Sequence, residues 1–356
     1  MRNESISLLK KLVETPGPSG HEAVIQSVVR EYMAPYCDTI STDVHGNLIG
    51  AIKPDATPRV MLSAHCDEVG LMVTHIDERG FAYCSAIGGV DPCVAAGQRV
   101  LVHTADGPVT GVVGRLPVHL MEKEAMDKAP RLHELWLDIG AATRDDAATR
   151  IEIGNPVTFD VGFKQLSDGL AVGRALDDRG GIFVMLESLR LLDRKNLNTS
   201  IFAVSTVQEE IGHRGAITST FGIAPDIGIA VDVGPATDYP TADPRKIGDF
   251  RIGAGPVLHT GPNIHAGLGH LLMKTASSRN IHYQLRAEPR GTPTDANAIQ
   301  LSRAGVATAL VRIPCRYLHT PVEMLSLNDL ENAANLLAAF IEQLNSDTLK
   351  PGEAKS

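Results

Sequence analysis

The chain has 356 residues, a formal net charge of −9 and 43% hydrophobic residues. This length exceeds one average domain, so we expect two domains or one large domain that carries an insertion. The negative charge argues against binding to nucleic acid or to anionic membrane surfaces, because both attract basic proteins.

The cysteines and the N-terminal residues indicate the compartment. Five cysteines are scattered along the chain without CxxC spacing, which favours reduced thiols in a reducing compartment. Residues 1–17 contain no apolar core long enough for a signal peptide, and no stretch approaches the length that spans a bilayer. We therefore expect a cytoplasmic protein.

The first part of the chain predicts two helices followed by short strands. Apolar residues repeat with helical spacing over 4–14. Ser19 with Glu22 three residues later is typical of a capping box, which predicts the start of a second helix. A short apolar strand predicted over 59–63 then runs directly into His65 and the acids that follow it.

The pattern changes between about 69 and 163, where short alternating runs lie between Gly, Pro and Asp turns. This pattern predicts an inserted β-rich domain that resembles a small barrel. After the insertion, strands and helices alternate, which is typical of a sheet with mostly parallel strands and helices on both faces. The expected fold class is α/β: a mixed sheet flanked by helices, formed by 1–68 and 164–348, with 349–356 as a polar tail.

Two adjacent carboxylates, Glu209 and Glu210, follow a strand predicted over 201–207. Acids at the carboxyl end of a buried strand lie where α/β proteins build their sites. Neighbouring side chains on an extended backbone point to opposite sides, so one acid is free to hold a metal while the other handles a proton. Taken alone, the pair also fits a solvated strand end, and the rest of the chain must decide.

Other predicted strands also end in residues that bind metals. The set comprises His65 with Asp67, Asp177 with Asp178, Glu209 with Glu210, Asp232, and His319. Because the ends of these strands meet at one edge of the sheet, we expect the side chains to converge. Imidazoles combined with carboxylates favour zinc or cobalt over magnesium. The surplus of carboxylates suggests two ions that share one of them.

Each member of this set also has a simpler interpretation. His65 alone fits a hydrogen-bonded histidine at a strand end, and His319 alone fits a loop histidine before Thr-Pro. The acids at 177 and 178 alone fit the cap of the helix that follows them. These interpretations would all have to hold at successive strand ends, which makes the shared metal site the stronger hypothesis.

Nine stretches give the chain a resemblance to a known family. They are TPGPSGHE (15–22), AHCDEVG (64–70), GVVGRLPVHLM (111–121), LWLDIGA (135–141), GRALDDRGG (173–181), QEEIGHRGA (208–216), VDVG (231–234), TDANAI (294–299) and IPCRYLHTPVE (313–323). In this order they resemble the tetrahedral (TET) aminopeptidases, which include glutamyl and deblocking aminopeptidases. These belong to the co-catalytic zinc exopeptidases, and some relatives carry the label endoglucanase. The stretches cover nearly the whole chain.

The resemblance implies a ligand assignment and an activity. His65 and Asp232 would bind one divalent ion, Glu210 and His319 would bind the other, and Asp177 would bridge them. The ions would be zinc, with cobalt or manganese as alternatives. A hydroxide that bridges the two ions would attack the peptide bond and release the N-terminal amino acid.

The resemblance also implies roles outside the ligand set. Glu209 resembles the general base that takes the proton of the bridging water. Asp67 resembles the carboxylate that orients the imidazole of His65, which fixes the tautomer of a metal ligand. The insertion at about 69–163 would be the dimerisation domain, and twelve subunits would assemble into a hollow tetrahedron around peptide substrates.

Three other functions compete with this one. A deacylase or dipeptidase of the same metal class would use the same ligands. A glycosidase would need two carboxylates about 5 to 9.5 Å apart across a sugar, which adjacent Glu209 and Glu210 are poorly placed to provide. A non-enzymatic assembly protein would show a defective ligand set, whereas every expected position is occupied here.

Overall fold

A computed structural model describes residues 1–126 and 128–349. The predicted polar tail lies outside these described residues, apart from its first residue. No helix in the described ranges combines the length and the apolar character that a membrane crossing requires. The helices are α1 (Asn3–Glu14), α2 (Ala23–Met33), α3 (Pro92–Ala95), α4 (Lys123–Met126), α5 (Arg144–Ala148), α6 (Leu176–Leu191), α7 (Arg214–Ile223), α8 (Pro244–Ile247), α9 (Ala266–Ser278), α10 (Asp295–Gln300) and α11 (Leu327–Ile341).

The strands form one large mixed sheet and one closed barrel. Those of the sheet are β1 (Thr39–Thr42), β2 (Leu48–Ile52), β3 (Arg59–His65), β10 (Lys164–Gln165), β11 (Leu170–Gly173), β12 (Ser200–Thr206), β13 (Ile227–Pro235), β14 (Val257–Thr260), β15 (Gln284–Ala287), β16 (Ala307–Arg316) and β17 (Glu323–Ser326). Those of the barrel are β4 (Gly70–Ile76), β5 (Ala82–Ile87), β6 (Arg99–Thr104), β7 (Gly107–Gly114), β8 (Trp136–Asp138) and β9 (Pro156–Phe159).

The centre of the sheet is parallel. Strand β3 pairs with β12 on one side and with β13 on the other, and β13 pairs with β16, all in parallel register. Beyond this centre most pairs are antiparallel, including β2 next to β12 and β17 next to β16, while β14 and β15 pair in parallel. The carboxyl ends of β3, β12, β13 and β16 therefore point to the same edge.

Helices cover both faces of the sheet. Met61 and Leu62 are neighbours on β3 and are both fully buried, but they belong to different apolar clusters. This is the result of successive side chains pointing to opposite faces of a strand. Helix α6 contacts α11 and the strands β3 and β13, while α7 contacts α10 and β12. Burial on both faces explains why these strands are nearly continuous apolar runs.

The insertion is a closed six-stranded barrel with the strand order β4-β5-β8-β7-β6-β9. Its interior is filled by apolar side chains, most of them branched, among them Val73, Val100, Val102 and Val157. Side chains of this size fill the interior of a small barrel. The predicted α/β fold class, with a helix-flanked mixed sheet and an inserted barrel, is confirmed.

The predicted capping box at the start of α2 is wrong. Glu22 is the N-cap residue of α2, and no side chain caps this helix. Ser19 Oγ instead donates a hydrogen bond to Asp67 Oδ2 at 2.6 Å, and Glu22 Oε1 accepts the backbone N–H of Gly20 at 2.7 Å. The fully buried carboxylate of Asp67 needs partners and takes the hydroxyl that a local cap would have used.

Candidate metal centre

The predicted site residues converge at the carboxyl edge of the parallel strands. His65 is the last residue of β3, Asp232 lies on β13, and Asp177 lies in the first turn of α6. The remaining members lie on loops: Asp67 follows β3, Glu209 and Glu210 lie between β12 and α7, and His319 lies between β16 and β17. The structure brings all seven predicted side chains into one cluster.

His65 presents one ring nitrogen to the centre of the cluster. Its Nε2 lies 3.1 Å from Asp177 Oδ1 and 3.9 Å from Asp232 Oδ1. Its Nδ1 faces the other way, 3.2 Å from the backbone carbonyl of Asp67 and 3.5 Å from Asp67 Oδ1. The contacts at Nδ1 fix the ring, so that Nε2 is directed at the carboxylates.

His319 approaches the cluster from the opposite side. Its Nε2 lies 3.5 Å from Asp177 Oδ2 and 3.5 Å from Glu210 Oε2. Its Nδ1 lies 3.0 Å from the backbone carbonyl of Gly89, in the loop between β5 and α3 of the barrel insertion. The barrel therefore holds the ring of one candidate ligand in place.

The two oxygens of Asp177 face two different histidines. Oδ1 faces His65 and Oδ2 faces His319, so this carboxylate stands between the two halves of the cluster. Asp178 behaves differently, because its oxygens accept the backbone N–H groups of His65 at 3.3 Å and Gly181 at 2.9 Å. Because Asp177 and Asp178 have non-helical backbone angles, Asp178 caps the regular part of α6 that follows them, which is the interpretation that the sequence allowed for an acid at this point.

The expected extended backbone at the pair of glutamates is wrong. Strand β12 ends at Thr206, and Gln208 adopts a positive φ of 56° before the two acids. The pair lies in the loop that follows, and both side chains face the cluster. Glu209 Oε2 lies 3.9 Å from His65 Nε2, and Glu210 is near His319. The two acids reach different histidines because the backbone turns.

Asp67 stabilises this turn. Its Oδ1 accepts the backbone N–H of Glu209 at 3.0 Å, and its Oδ2 accepts that of Glu210 at 3.1 Å. A carboxylate that binds two successive N–H groups holds the loop against the end of β3. The same oxygen Oδ2 also accepts the hydroxyl of Ser19. Asp67 thus fixes the positions of both glutamates, in addition to its contact with His65.

The electrostatics of the cluster fit divalent cations. Burial and the neighbouring acid Asp177 raise the pKa of Glu210 well above its usual range. Burial, opposed by Arg312, raises the pKa of Asp232 to about 8. Buried carboxylates that repel one another need added positive charge. His65, Asp177 and Glu210 offer ligand atoms within 4.8 Å of one another, and this mixture of nitrogen and oxygen donors suits zinc-like ions.

Two further residues hold the candidate ligands in place, and the sequence interpretation missed both. Glu323 accepts the backbone N–H groups of Asp177 and His319, each at 2.9 Å. The sequence offered a signal for Glu323, because this acid is the last residue of the stretch 313–323 that contains His319. Gly89 gave no signal, because nothing in the local sequence of the insertion indicates contact with a histidine 230 residues away.

Comparison with known proteins identifies the family. A family model described as M42 glutamyl aminopeptidase matches residues 46–336. The chain belongs to this family. The M42 assignment confirms the resemblance found in the sequence, and the protein is an aminopeptidase of a metallopeptidase family.

Individual aminopeptidases and a TET peptidase match this chain over almost their whole length. Lysyl aminopeptidase from Pyrococcus furiosus is 38% identical over 97% of this chain and 99% of its own. The structure of an aminopeptidase from Desulfurococcus kamchatkensis superposes with a TM-score of 0.91 at 36% identity, over 99% of both chains. The TET1 peptidase of Pyrococcus horikoshii, which can assemble into a tetrahedron or a large octahedral shell, superposes with a TM-score of 0.85 at 30% identity, over 96% of this chain and 100% of its own.

Proposed function

We propose that this M42 enzyme removes N-terminal amino acids from peptides at a dinuclear metal centre, with Glu209 as the general base. The observation that carries the proposal is the position of Asp177. Its two oxygens face His65 and His319 on opposite sides, which is the arrangement that a bridging carboxylate requires. A single ion would leave one of these histidines without a role.

The proposed ligand set follows from the same contacts. His65 and Asp232 would hold one ion, while Glu210 and His319 would hold the other. The distance of 3.9 Å between His65 Nε2 and Asp232 Oδ1 supports the first pair. The distance of 3.5 Å between His319 Nε2 and Glu210 Oε2 supports the second. Zinc is the proposed metal, with cobalt and manganese as alternatives, because two imidazoles favour ions that accept nitrogen ligands.

Two bound cations would lower the pKa of the attacking water and would polarise the scissile carbonyl. The protein supplies the proton transfers. Glu209 takes a proton from the attacking water and delivers it to the leaving amine, as a positioned carboxylate does in general acid–base catalysis. Its Oε2 is directed towards His65, so the base lies beside the proposed ligands while remaining outside the set.

We also propose that the enzyme is a cytoplasmic homo-oligomer. Residues 1–68 and 164–348 would form the catalytic domain, and 69–163 the dimerisation domain of a tetrahedral dodecamer. An apolar run on the insertion supports the second assignment: Leu116, Val118 and Leu120 are 45%, 55% and 69% exposed. Exposed apolar residues close together are typical of a surface that contacts another subunit.

A chelation experiment with a substrate panel tests the proposed function. The purified protein is treated with a chelator, dialysed and assayed before and after addition of zinc, cobalt or manganese. We expect hydrolysis of aminoacyl-anilides to disappear and to return with metal, and N-acyl amino acids to stay intact. Cleavage of N-acyl amino acids alone would identify a deacylase. Activity that survives removal of all metal would contradict the metal-dependent mechanism.

A further inference from the structure

His213 lies against the proposed general base. Its Nε2 is 3.1 Å from Glu209 Oε1, within hydrogen-bonding distance. The other oxygen of the same carboxylate, Oε2, lies 3.9 Å from His65 Nε2. The two oxygens of Glu209 therefore have separate surroundings: one faces an imidazole outside the ligand set, and the other faces the metal centre.

The loop before α7 places the imidazole. His213 adopts a left-handed conformation with φ of 54°, directly before the first residue of α7. Its backbone N–H donates to the carbonyl of Glu209 at 2.9 Å, and so does the N–H of Gly212. This closed turn returns the side chain of His213 to the carboxylate four residues earlier.

Burial gives this contact more weight than a surface ion pair has. The side chain of Glu209 is 9% exposed and that of His213 is 26% exposed. Exposed ion pairs contribute little, because water competes for both partners, and a contact at this depth is better shielded. The Glu209 carboxylate also raises the pKa of His213, as expected for an imidazole that donates to an anion.

Two other acids, Asp295 and Asp232, also raise the pKa of His213, after the larger effect of Glu209. Asp295 Oδ2 accepts the hydroxyls of Ser63 and Thr206, each at 2.6 Å, while its buried Oδ1 has no hydrogen-bond partner among the described residues. Within the described residues, the ring of His213 has Glu209 as its ion-pair partner. His213 also lines a surface cavity of about 570 Å³.

We propose that His213 is a positioning residue that holds Glu209 through Oε1 and thereby keeps Oε2 directed at the metal centre. A glutamate side chain has three rotatable bonds, and a base that leaves its productive position for part of the time lowers the turnover rate. This inference rests on the proposed role of Glu209 as general base. It assigns His213 no contact with the substrate.

A pair of substitutions of similar length separates the hydrogen bond from packing. His213→Gln keeps an N–H donor near the position of Nε2, and His213→Met fills similar space without a donor. We expect kcat of the Met variant to fall about tenfold or more, the loss typical of a missing hydrogen bond to a charged group. The Gln variant should regain most of this loss. KM should change by less than about twofold in both variants.

Three controls accompany the pair. Metal content and Tm should match the unmodified protein, and His270→Asn, at an exposed position on α9, should leave kcat unchanged. His213→Asn is a further variant, because asparagine tolerates the left-handed conformation while its amide is too short to reach Glu209. Its kcat should fall as that of the Met variant does. If the Met variant does not fold, the Asn variant takes its place in the comparison.

The outcomes distinguish this inference from the proposed function. Equal kcat values for the Met, Asn and Gln variants and the unmodified protein would overturn it, as would a rise of KM alone, which indicates substrate contact. Loss of bound metal in these variants would assign His213 to the ligand scaffold instead. A Glu209→Gln variant that stays fully active would overturn both proposals. An inactive Glu209→Gln variant beside an unaffected His213→Met variant would overturn this one alone.

Discussion

Glu323 Oε2 accepts the backbone N–H of Asp177 at 2.9 Å. Its other oxygen accepts the backbone N–H of His319, also at 2.9 Å. The buried side chain of Glu323, at the start of β17, thus joins Asp177, the proposed bridging ligand, to His319, the proposed ligand that comes last in the chain. Burial, and after it the neighbouring Asp177, raise the pKa of Glu323 to about 8.

Replacing Glu323 by Gln should weaken metal binding. Gln offers one acceptor oxygen, so either Asp177 or His319 would lose its partner and face an NH₂ group. Residues that orient metal ligands typically contribute about 10- to 100-fold to metal affinity, and we expect a loss in this range. Titration of the metal-free protein with zinc measures it. The matched control is Glu31→Gln, which removes one exposed ion pair with Lys11; equal affinities in both variants would contradict the prediction.

Glu209→Gln should retain metal and lose turnover. The amide keeps the size of the side chain but cannot accept the proton of the attacking water. Removal of a general base typically lowers kcat by about 10²- to 10⁴-fold. The measurements are kcat on an aminoacyl-anilide and metal content by elemental analysis. A variant with normal turnover would remove Glu209 from the mechanism, whereas a metal-free variant would make it a ligand.

Asp177→Asn should lower the metal content at both positions. The substitution keeps the shape of the side chain and removes the charge between His65 and His319. An uncharged amide is a weaker ligand for zinc than a carboxylate, and here it would serve two ions. Elemental analysis after dialysis measures the number of ions per subunit, with Asp138→Asn at an exposed position as control. A variant that still holds two ions would contradict the bridging role.

Gly89→Ala, a substitution in the barrel insertion, should displace the ring of His319. A Cβ atom added at this position would lie 2.8 Å from His319 Nδ1, which is closer than real Cβ atoms approach other atoms. The ring must move, and we expect about one ion per subunit to be lost or weakly held. The control is Gly222→Ala, where an added Cβ meets no atom within 4 Å. Full metal content in both variants would show that His319 tolerates the displacement.

Leu120→Asp should reduce the size of the oligomer. Leu120 is 69% exposed in the insertion, and a charge buried at a subunit contact is costly unless it is paired. Light scattering of the purified protein should report smaller particles than those of the unmodified chain. Val44→Asp, at a fully exposed position outside the insertion, should leave the mass unchanged. Equal masses for all three proteins would argue against contacts through this part of the barrel.

Much of the fold could be predicted from the order of the residues. The apolar runs of β3, β12 and β13 are local signals, because strands buried on both faces must be apolar throughout. The insertion was recognisable from its alternating runs and turns, and the structure contains a closed barrel there. Two local predictions were wrong: the capping box at Ser19 and the extended backbone at the two glutamates. Both involve the buried carboxylate of Asp67, which binds the hydroxyl of Ser19 and the backbone N–H groups of both glutamates.

The sequence by itself determined which residue types stand at the strand ends, and hence that a centre of imidazoles and carboxylates was expected. Only the tertiary structure decided how they are arranged. It places Asp177 between two histidines, it sets Glu323 and Gly89 against the proposed ligands, and it brings His213 to Glu209. Strand and helix patterns arise from contacts between neighbours in the chain. The orientation of a carboxylate arises from hydrogen bonds to groups far away in the chain, which no local pattern records.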